Sequence, residues 1–141
     1  MYSFIVNPNA SGGRGERIWR RLEKQLKHLG VPYEAFVTEK TGDARRLACD
    51  LTEHQREPRI LIAVGGDGTV SEVLDGISFC GPVTLGYIPT GSGNDLARSL
   101  RLPKSPSRCL KKILNPKYHK LLDYGVLSYG DHLTHRRFMV S

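Results

Sequence analysis

The most informative stretch of the chain is Ile60-Leu61-Ile62-Ala63-Val64-Gly65-Gly66-Asp67-Gly68-Thr69-Val70-Ser71-Glu72-Val73. Its first five residues are apolar without alternation, as in a parallel strand covered on both faces. Gly65, Gly66 and Gly68 then allow backbone angles that residues with a Cβ avoid. Thr69 and Glu72 stand in T-x-x-E spacing, which predicts a capping box, and Val70, Val73, Leu74 and Ile77 recur at helical spacing. A helix that starts at the end of a strand offers unpaired N–H groups and a partial positive charge, a place for phosphate. Asp67 in the same turn would repel a bare phosphate, a conflict that disappears if its carboxylate faces Mg²⁺ or the waters around it.

Working outward, Tyr2–Val6 reads as a first strand, followed by the turn formers Asn7-Pro8-Asn9-Ala10-Ser11-Gly12-Gly13-Arg14-Gly15. The spacing predicts a helix over about Glu16–Leu29, with Ile18, Leu22, Leu26 and Leu29 as its buried stripe and Gly30 as the C′ residue. Val31–Val37 is the second strand, Thr38–Asp43 a loop, and Asp43 the cap of a helix whose inner face is Ala44, Leu47, Ala48 and Leu51. Beyond the central stretch, Gly81-Pro82 breaks the chain before a fourth strand, Val83–Ile88. That strand runs into Pro89-Thr90-Gly91-Ser92-Gly93-Asn94-Asp95-Leu96-Ala97-Arg98, where Asn94 or Asp95 starts a short helix. Ser105-Pro106 opens a further helix with Leu110, Ile113 and Leu114 inward, and Asn115-Pro116 closes it. Strands alternating with helices imply an α/β fold: βαβ units and a mostly parallel sheet with helices on both faces.

After Pro116 the pattern changes. Tyr118–Tyr129 and His132–Val140 read as two strands around Gly130-Asp131, a hairpin signal. We therefore expect residues 1–116 to form the α/β domain and 117–141 to begin a second, antiparallel β domain that the sequence cuts short at Ser141. The other reading is a terminal hairpin that packs on the sheet.

With 141 residues, 39% hydrophobic and 25% charged, the chain suits a soluble globular protein. No apolar run approaches the ~20 residues of a membrane span, and no signal peptide is visible. Cys49, Cys80 and Cys109 are few and in no metal-type spacing, as expected of reduced thiols in a cytosol. His132 and His135 read as surface histidines, since their spacing on a strand puts them on opposite faces. A net charge of +7 suits nucleic acid, an anionic membrane surface or a phosphate-rich ligand. There is no aromatic-rich basic motif and no zinc-finger spacing, which argues against nucleic acid. The basic residues of Arg14–Lys27 read as a solvated helix face, with a lipid-surface patch as the sharper alternative.

In an open α/β sheet, ligands bind beyond the carboxyl ends of the strands. Four polar or glycine-rich turns fall there: Asn7–Gly13, Thr38–Asp43, Gly65–Thr69 and Pro89–Asp95. One would be weak evidence, but four at one edge predict a nucleotide cleft. No G-x-x-x-x-G-K-[ST] is present, which excludes a P-loop ATPase. Neither Gly66-Asp67-Gly68 nor Gly91-Ser92-Gly93 has the third glycine of a dinucleotide fingerprint, because Ser71 and Leu96 stand in its place. That disfavours a plain Rossmann dehydrogenase.

Gly65-Gly66-Asp67-Gly68-Thr69, together with Asn7-Pro8, Thr38-Glu39-Lys40 and Pro89-Thr90-Gly91-Ser92-Gly93-Asn94-Asp95-Leu96-Ala97-Arg98, resembles the catalytic domain of diacylglycerol kinases. That family includes bacterial lipid kinases, sphingosine kinases and ceramide kinases. The GGDGT pentad is shared with NAD kinases, while the P-x-G-[ST]-x-N-D-[LF]-A-R stretch is much more specific to the lipid enzymes. The resemblance implies a three-layer, Rossmann-like nucleotide-binding domain followed by a β-sandwich, and a cytoplasmic kinase that uses ATP and Mg²⁺ on a lipid at the membrane surface. Nucleic acid is not an implied partner, and a homodimer is left open.

Carried over by position, Asn7 and the Ser11–Gly12 turn would line the nucleotide site and Thr38 would hydrogen-bond the nucleotide. Gly66, Asp67, Gly68 and Thr69 would cradle its phosphates, with Pro8, Gly65, Ser71, Glu72, Gly91, Ser92 and Asn94 in the same site. Ser92 stands where the family usually has Thr, which keeps the hydroxyl and drops a methyl. Asp67, Asp95 and Asp123 match acidic residues used around a water-linked Mg²⁺. The base that deprotonates the acceptor hydroxyl is expected beyond Ser141, so the chain alone is expected to bind Mg-ATP weakly and to turn over lipid poorly. A kinase of another acceptor, such as NAD, and a non-catalytic nucleotide-binding module are the alternatives.

Overall fold

The structure is a computed structural model. It describes residues 1–78, 81–91 and 95–115, and the backbone of 123–129 and 134–140. Cys80 lies outside the described residues.

The long apolar run forms β3 in the middle of the sheet. In chain order the elements are β1 (Tyr2–Val6), α1 (Arg14–Leu29), β2 (Tyr33–Val37), α2 (Asp43–Thr52), β3 (Arg59–Gly65), α3 (Asp67–Gly76), β4 (Val83–Pro89), α4 (Asp95–Ser99) and α5 (Pro106–Ile113). The first four strands make one sheet in the order β2-β1-β3-β4, with every pairing parallel. β5 (Asp123–Tyr129) and β6 (Thr134–Val140) pair antiparallel in a separate two-stranded sheet, Asp123 opposite Val140.

Alternate residues of β3 enter two different cores, which is why its sequence does not alternate. Leu61 and Ala63 pack with Ala44, Ala48, Val70 and Val73 of α2 and α3. Ile62 and Val64 pack with Trp19, Leu22 and Leu26 of α1 and with Cys109 and Leu110 of α5. The expected three layers, with helices on both faces, are therefore present. Gly76 sits so close to Arg45 O that a Cβ there would strike it, which draws α2 and α3 together. Phe4, Trp19 and Tyr33 cluster under α1 at ring separations of 5.1, 5.8 and 6.1 Å, with Tyr33 edge-on to the other two rings.

Several local expectations need correction. The buried stripe of α1 is Gly15, Trp19, Leu22 and Leu26, whereas Leu29 is 52% exposed. The indole of Trp19 fills the space under the helix, so the stripe is rotated from the one predicted. Asp43 is the first residue of α2, not its cap: Gly42 holds the cap position at φ 93. The Asp43 carboxylate turns back and accepts from Glu39 N at 2.8 Å and Lys40 N at 3.0 Å. Two expected caps hold. Gly30 ends α1 in the left-handed region at φ 67, and Ser105 Oγ accepts from Arg108 N ahead of Pro106.

Among the described residues no helix is long and apolar enough to cross a membrane.

Candidate functional site

Because the four strands are parallel, the four turns that follow them lie along one edge of the sheet. The strand order reverses between β1 and β3, so the carboxyl ends of these two strands flank a topological switch point. The ladder continues into the turns: Asn7 N donates to Val64 O, Thr38 N to Val6 O and Thr90 N to Gly65 O, each at 2.8 Å.

The start of α3 ties these turns together. Asn7 Nδ2 donates to Thr69 Oγ1 at 3.4 Å. Gly42 N donates to Glu72 Oε1 at 2.5 Å. Asp67 reaches the fourth turn, accepting from Asp95 N at 2.8 Å and Leu96 N at 3.3 Å, and from the hydroxyl of Tyr87 at 3.1 Å. Three side chains of one helix thus hold three other loops. The predicted capping box does not form, since the cap position is Gly66 and no side chain caps α3. Glu72 is drawn across to Gly42 instead, because the adjoining loop offers it a free N–H.

The two helix starts at this edge differ. The first amides of α1 are already taken by the preceding turn: Gly15 N bonds to Ala10 O and Glu16 N to Pro8 O, both at 3.1 Å. In α3, Thr69 N and Val70 N fold back to Gly66 O, while Asp67 N and Gly68 N have no partner among the described residues. Those two donors and the dipole of a ten-residue helix make this turn the better anion site. A Cβ on Gly66 would lie 3.7 Å from Gly91 Cα, so the third and fourth turns are in van der Waals reach. Gly65 packs on Thr69, whose hydroxyl a Cβ at position 65 would strike, and Gly68 faces open space.

The remaining predicted residues fall as follows. The turn after β1 runs through Ser11 (φ 50), Gly12 (φ 66) and Gly13 (φ 97), all left-handed. The carbonyl of Pro8 is used by α1. Thr38 is buried at the end of β2. Two hydroxyls at this edge, Ser11 Oγ and Thr90 Oγ1, are buried without a hydrogen-bond partner among the described residues. Ser71 lines a pocket of about 340 Å³ between α3 and α4. Val70, Leu74 and Leu96 supply the apolar wall of that pocket, and Asp67, Ser71 and Asp95 the polar one. Ser92 and Asn94 lie outside the described residues, as does the side chain of Asp123.

The electrostatics follow from these contacts. Backbone N–H groups of Glu39 and Lys40 hold the Asp43 carboxyl below the usual carboxylate range, with Arg46 adding to the effect. Burial, with Asp67 beside it, pushes the Tyr87 phenol upward, so it stays a donor. As a test of the implied Mg²⁺, Asp67 receives three donors on a carboxylate with about four acceptor positions. It has room for a water but not for close enclosure of a bare ion. Asp95 lines the same pocket and pairs with Arg98. Among the described residues no three His, Cys, Asp or Glu side chains form a metal cluster. The donor set therefore fits a hydrated ion held through water, which is how Mg²⁺ is commonly bound.

Tyr87 takes part in the site without having been assigned to it from the sequence, whereas Gly42 and Asp43 belong to the Thr38–Asp43 turn already expected at this edge. The alternation of β4 is the signal that was available for Tyr87. It places this residue on the α3 side, with Asp67 at the adjoining strand end.

The model of the diacylglycerol kinase catalytic domain matches residues 1–125. A diacylglycerol kinase of Staphylococcus saprophyticus is 38% identical over 100 residues, which cover 70% of this chain and 32% of that protein. Diacylglycerol kinase 1 of Drosophila melanogaster is 38% identical over 101 residues, covering 69% of this chain and 8% of that protein. The crystal structure of a diacylglycerol kinase from Bacillus anthracis str. Sterne superposes with a TM-score of 0.73 at 27% identity, over 97% of this chain and 45% of that one. The chain spans about a third of the length of its staphylococcal relative. In motif, fold and sequence alike, it belongs to the family of the diacylglycerol kinase catalytic domain.

Proposed function

We propose that this chain is the ATP-binding part of a lipid kinase that moves the γ-phosphoryl of ATP to a lipid hydroxyl of the diacylglycerol type. The observation that carries the reading is the meeting of four strand-end turns around the start of α3, held by Thr69, Glu72 and Asp67. Phosphoryl transfer depends on positioning and charge neutralisation more than on covalent chemistry. In this reading Asp67 N and Gly68 N donate to the phosphates, and the Gly66–Gly91 approach leaves the backbone bare where they sit. The unpaired hydroxyls of Ser11 and Thr90 gain partners from the nucleotide or its waters, which removes a desolvation cost of about 1–3 kcal/mol each. Asp67 and Asp95 hold a hydrated Mg²⁺ through water, and the ion offsets the triphosphate charge when bound. Asp123 is the third acidic group in the same role. The base that takes the acceptor's proton is none of the residues named above.

Labelled ATP offered with Mg²⁺ to diacylglycerol in mixed micelles and, side by side, to NAD tests the reading. Saturable Mg-ATP binding with slow label transfer to the lipid alone supports it. Label on NAD, or no ATP binding, contradicts it.

A further inference from the structure

The three donors on Asp67 are not shared equally between its two oxygens. Oδ1 accepts from the Tyr87 hydroxyl at 3.1 Å and from Leu96 N at 3.3 Å. Among the described residues Oδ2 accepts only from Asp95 N, at 2.8 Å. A carboxylate oxygen has about two acceptor positions. Oδ1 is therefore filled, and Oδ2 keeps one position open.

Two of these donors are backbone amides of α4, which almost any side chain at positions 95 and 96 would leave in place. The third depends on one side chain. Tyr87 is buried in the cluster of Leu61, Ala63, Val70 and Ala97, with Ala63 as its register partner on β3. A phenylalanine would fill the same space, so the packing of this core does not call for a hydroxyl. A phenol clamped in this way fixes the direction from which it donates, and with it the rotation of the Asp67 carboxylate.

We infer that Tyr87 is a positioning residue: by filling Oδ1 of Asp67, its hydroxyl leaves Oδ2 alone to meet a water of a hydrated Mg²⁺ and makes the site select Mg²⁺ over Ca²⁺. The inference rests on the reading of Asp67 given above. Ca²⁺ takes roughly six to eight oxygens directly, often both oxygens of one carboxylate, whereas Mg²⁺ keeps several of its waters. With Oδ1 closed, Asp67 cannot offer both oxygens. Asp95, the second acidic group of the pocket, gives its Oδ1 to Arg98. The pocket thus presents single oxygens that suit bound waters, not oxygen pairs that suit direct ligation. Without the phenol, Oδ1 would keep only the longer bond from Leu96 N.

Mn²⁺ alone, added to the ¹⁵N-labelled chain without nucleotide, tests this, since it takes the same oxygen donors as Mg²⁺ and broadens nearby amide signals. Broadening is expected at Asp95 and Leu96, reversed by Mg²⁺ at a concentration at least ~3-fold below that of Ca²⁺. In Tyr87→Phe that preference is expected to shrink to within ~1.5-fold, through easier displacement by Ca²⁺. Tyr33→Phe removes a phenol that donates to Glu23 on the other side of the sheet, and is expected to keep the wild-type preference. Thermal melts verify that both variants fold. A Tyr87→Phe chain that weakens both ions equally, as a merely structural contact would, overturns the inference. So does a wild type without Mg²⁺ preference, or one without broadening at these amides. Because no nucleotide is present, a failure of ATP binding is a separate result.

Discussion

The hydroxyl of Tyr87 donates to Asp67 Oδ1 at 3.1 Å, joining the end of β4 to the start of α3. The same carboxylate receives the first two amides of α4. Tyr87 is 5% exposed, so its hydroxyl needs this partner.

A double-mutant cycle on this pair should be non-additive. Tyr87→Phe removes one donor and leaves Asp67 its two amides, at a cost of about 1 kcal/mol. Asp67→Ala strands a buried hydroxyl and two amides, at about 2–4 kcal/mol. The double variant should cost less than the sum by about 0.5–1 kcal/mol, since the phenol is then no longer there to be stranded. Urea denaturation measures all three, and additivity would mean that the bond contributes nothing.

Two adjacent glycines should respond differently to the same change. At Gly65 a Cβ meets the hydroxyl of Thr69, so Gly65→Ala is expected to destabilise by about 1–3 kcal/mol through overpacking. At Gly66 a Cβ finds only Gly91 Cα at 3.7 Å, and the φ of −91 suits alanine. Gly66→Ala should therefore fold normally yet lose Mg-ATP affinity at least ~10-fold, because the methyl occupies the space the proposed phosphates need. Thermal melts and ATP titration of both variants separate the two effects.

The loop before α2 should be sensitive to acid. Backbone N–H groups of Glu39 and Lys40 depress the Asp43 pKa. A depressed carboxylate pKa adds stability that is present above the unfolded value, about 3.9. That stability is lost as pH falls through the lower, folded value. The advantage of the wild type over Asp43→Asn should thus be full at pH 7 and shrink below about pH 4. Urea midpoints across that range check it. A gap that stays constant would mean that the two backbone bonds do not favour the charged form.

What the sequence shows well here is periodicity. The unbroken apolar run of β3 signals burial on both faces, and the helical spacing after Gly68 signals α3. What it hides is where a polar side chain finds its partner. Glu72 has capping-box spacing, yet it accepts from Gly42 N, distant in sequence. Asp43 stands at a helix start but turns back to Glu39 and Lys40, since the loop's own amides need acceptors. The Leu29 error has the same origin, as only tertiary packing decides whether Trp19 or Leu29 fills the space under α1. Strand order is likewise absent from the linear pattern, and it is the order β2-β1-β3-β4 that puts Asn7 next to Thr69.

The central claim, that the carboxyl edge of the sheet grips a triphosphate, is tested most directly by mapping amide shifts of the ¹⁵N-labelled chain on titration with Mg-ATP. The account predicts saturable shifts grouped at Asn7–Gly13, Thr38–Gly42, Gly65–Thr69 and Pro89–Asp95, largest at Asp67 and Gly68, and absent in Gly66→Ala. Shifts gathered instead at the opposite edge, near Tyr2, Arg59 and Val83, or unchanged in Gly66→Ala, would contradict it.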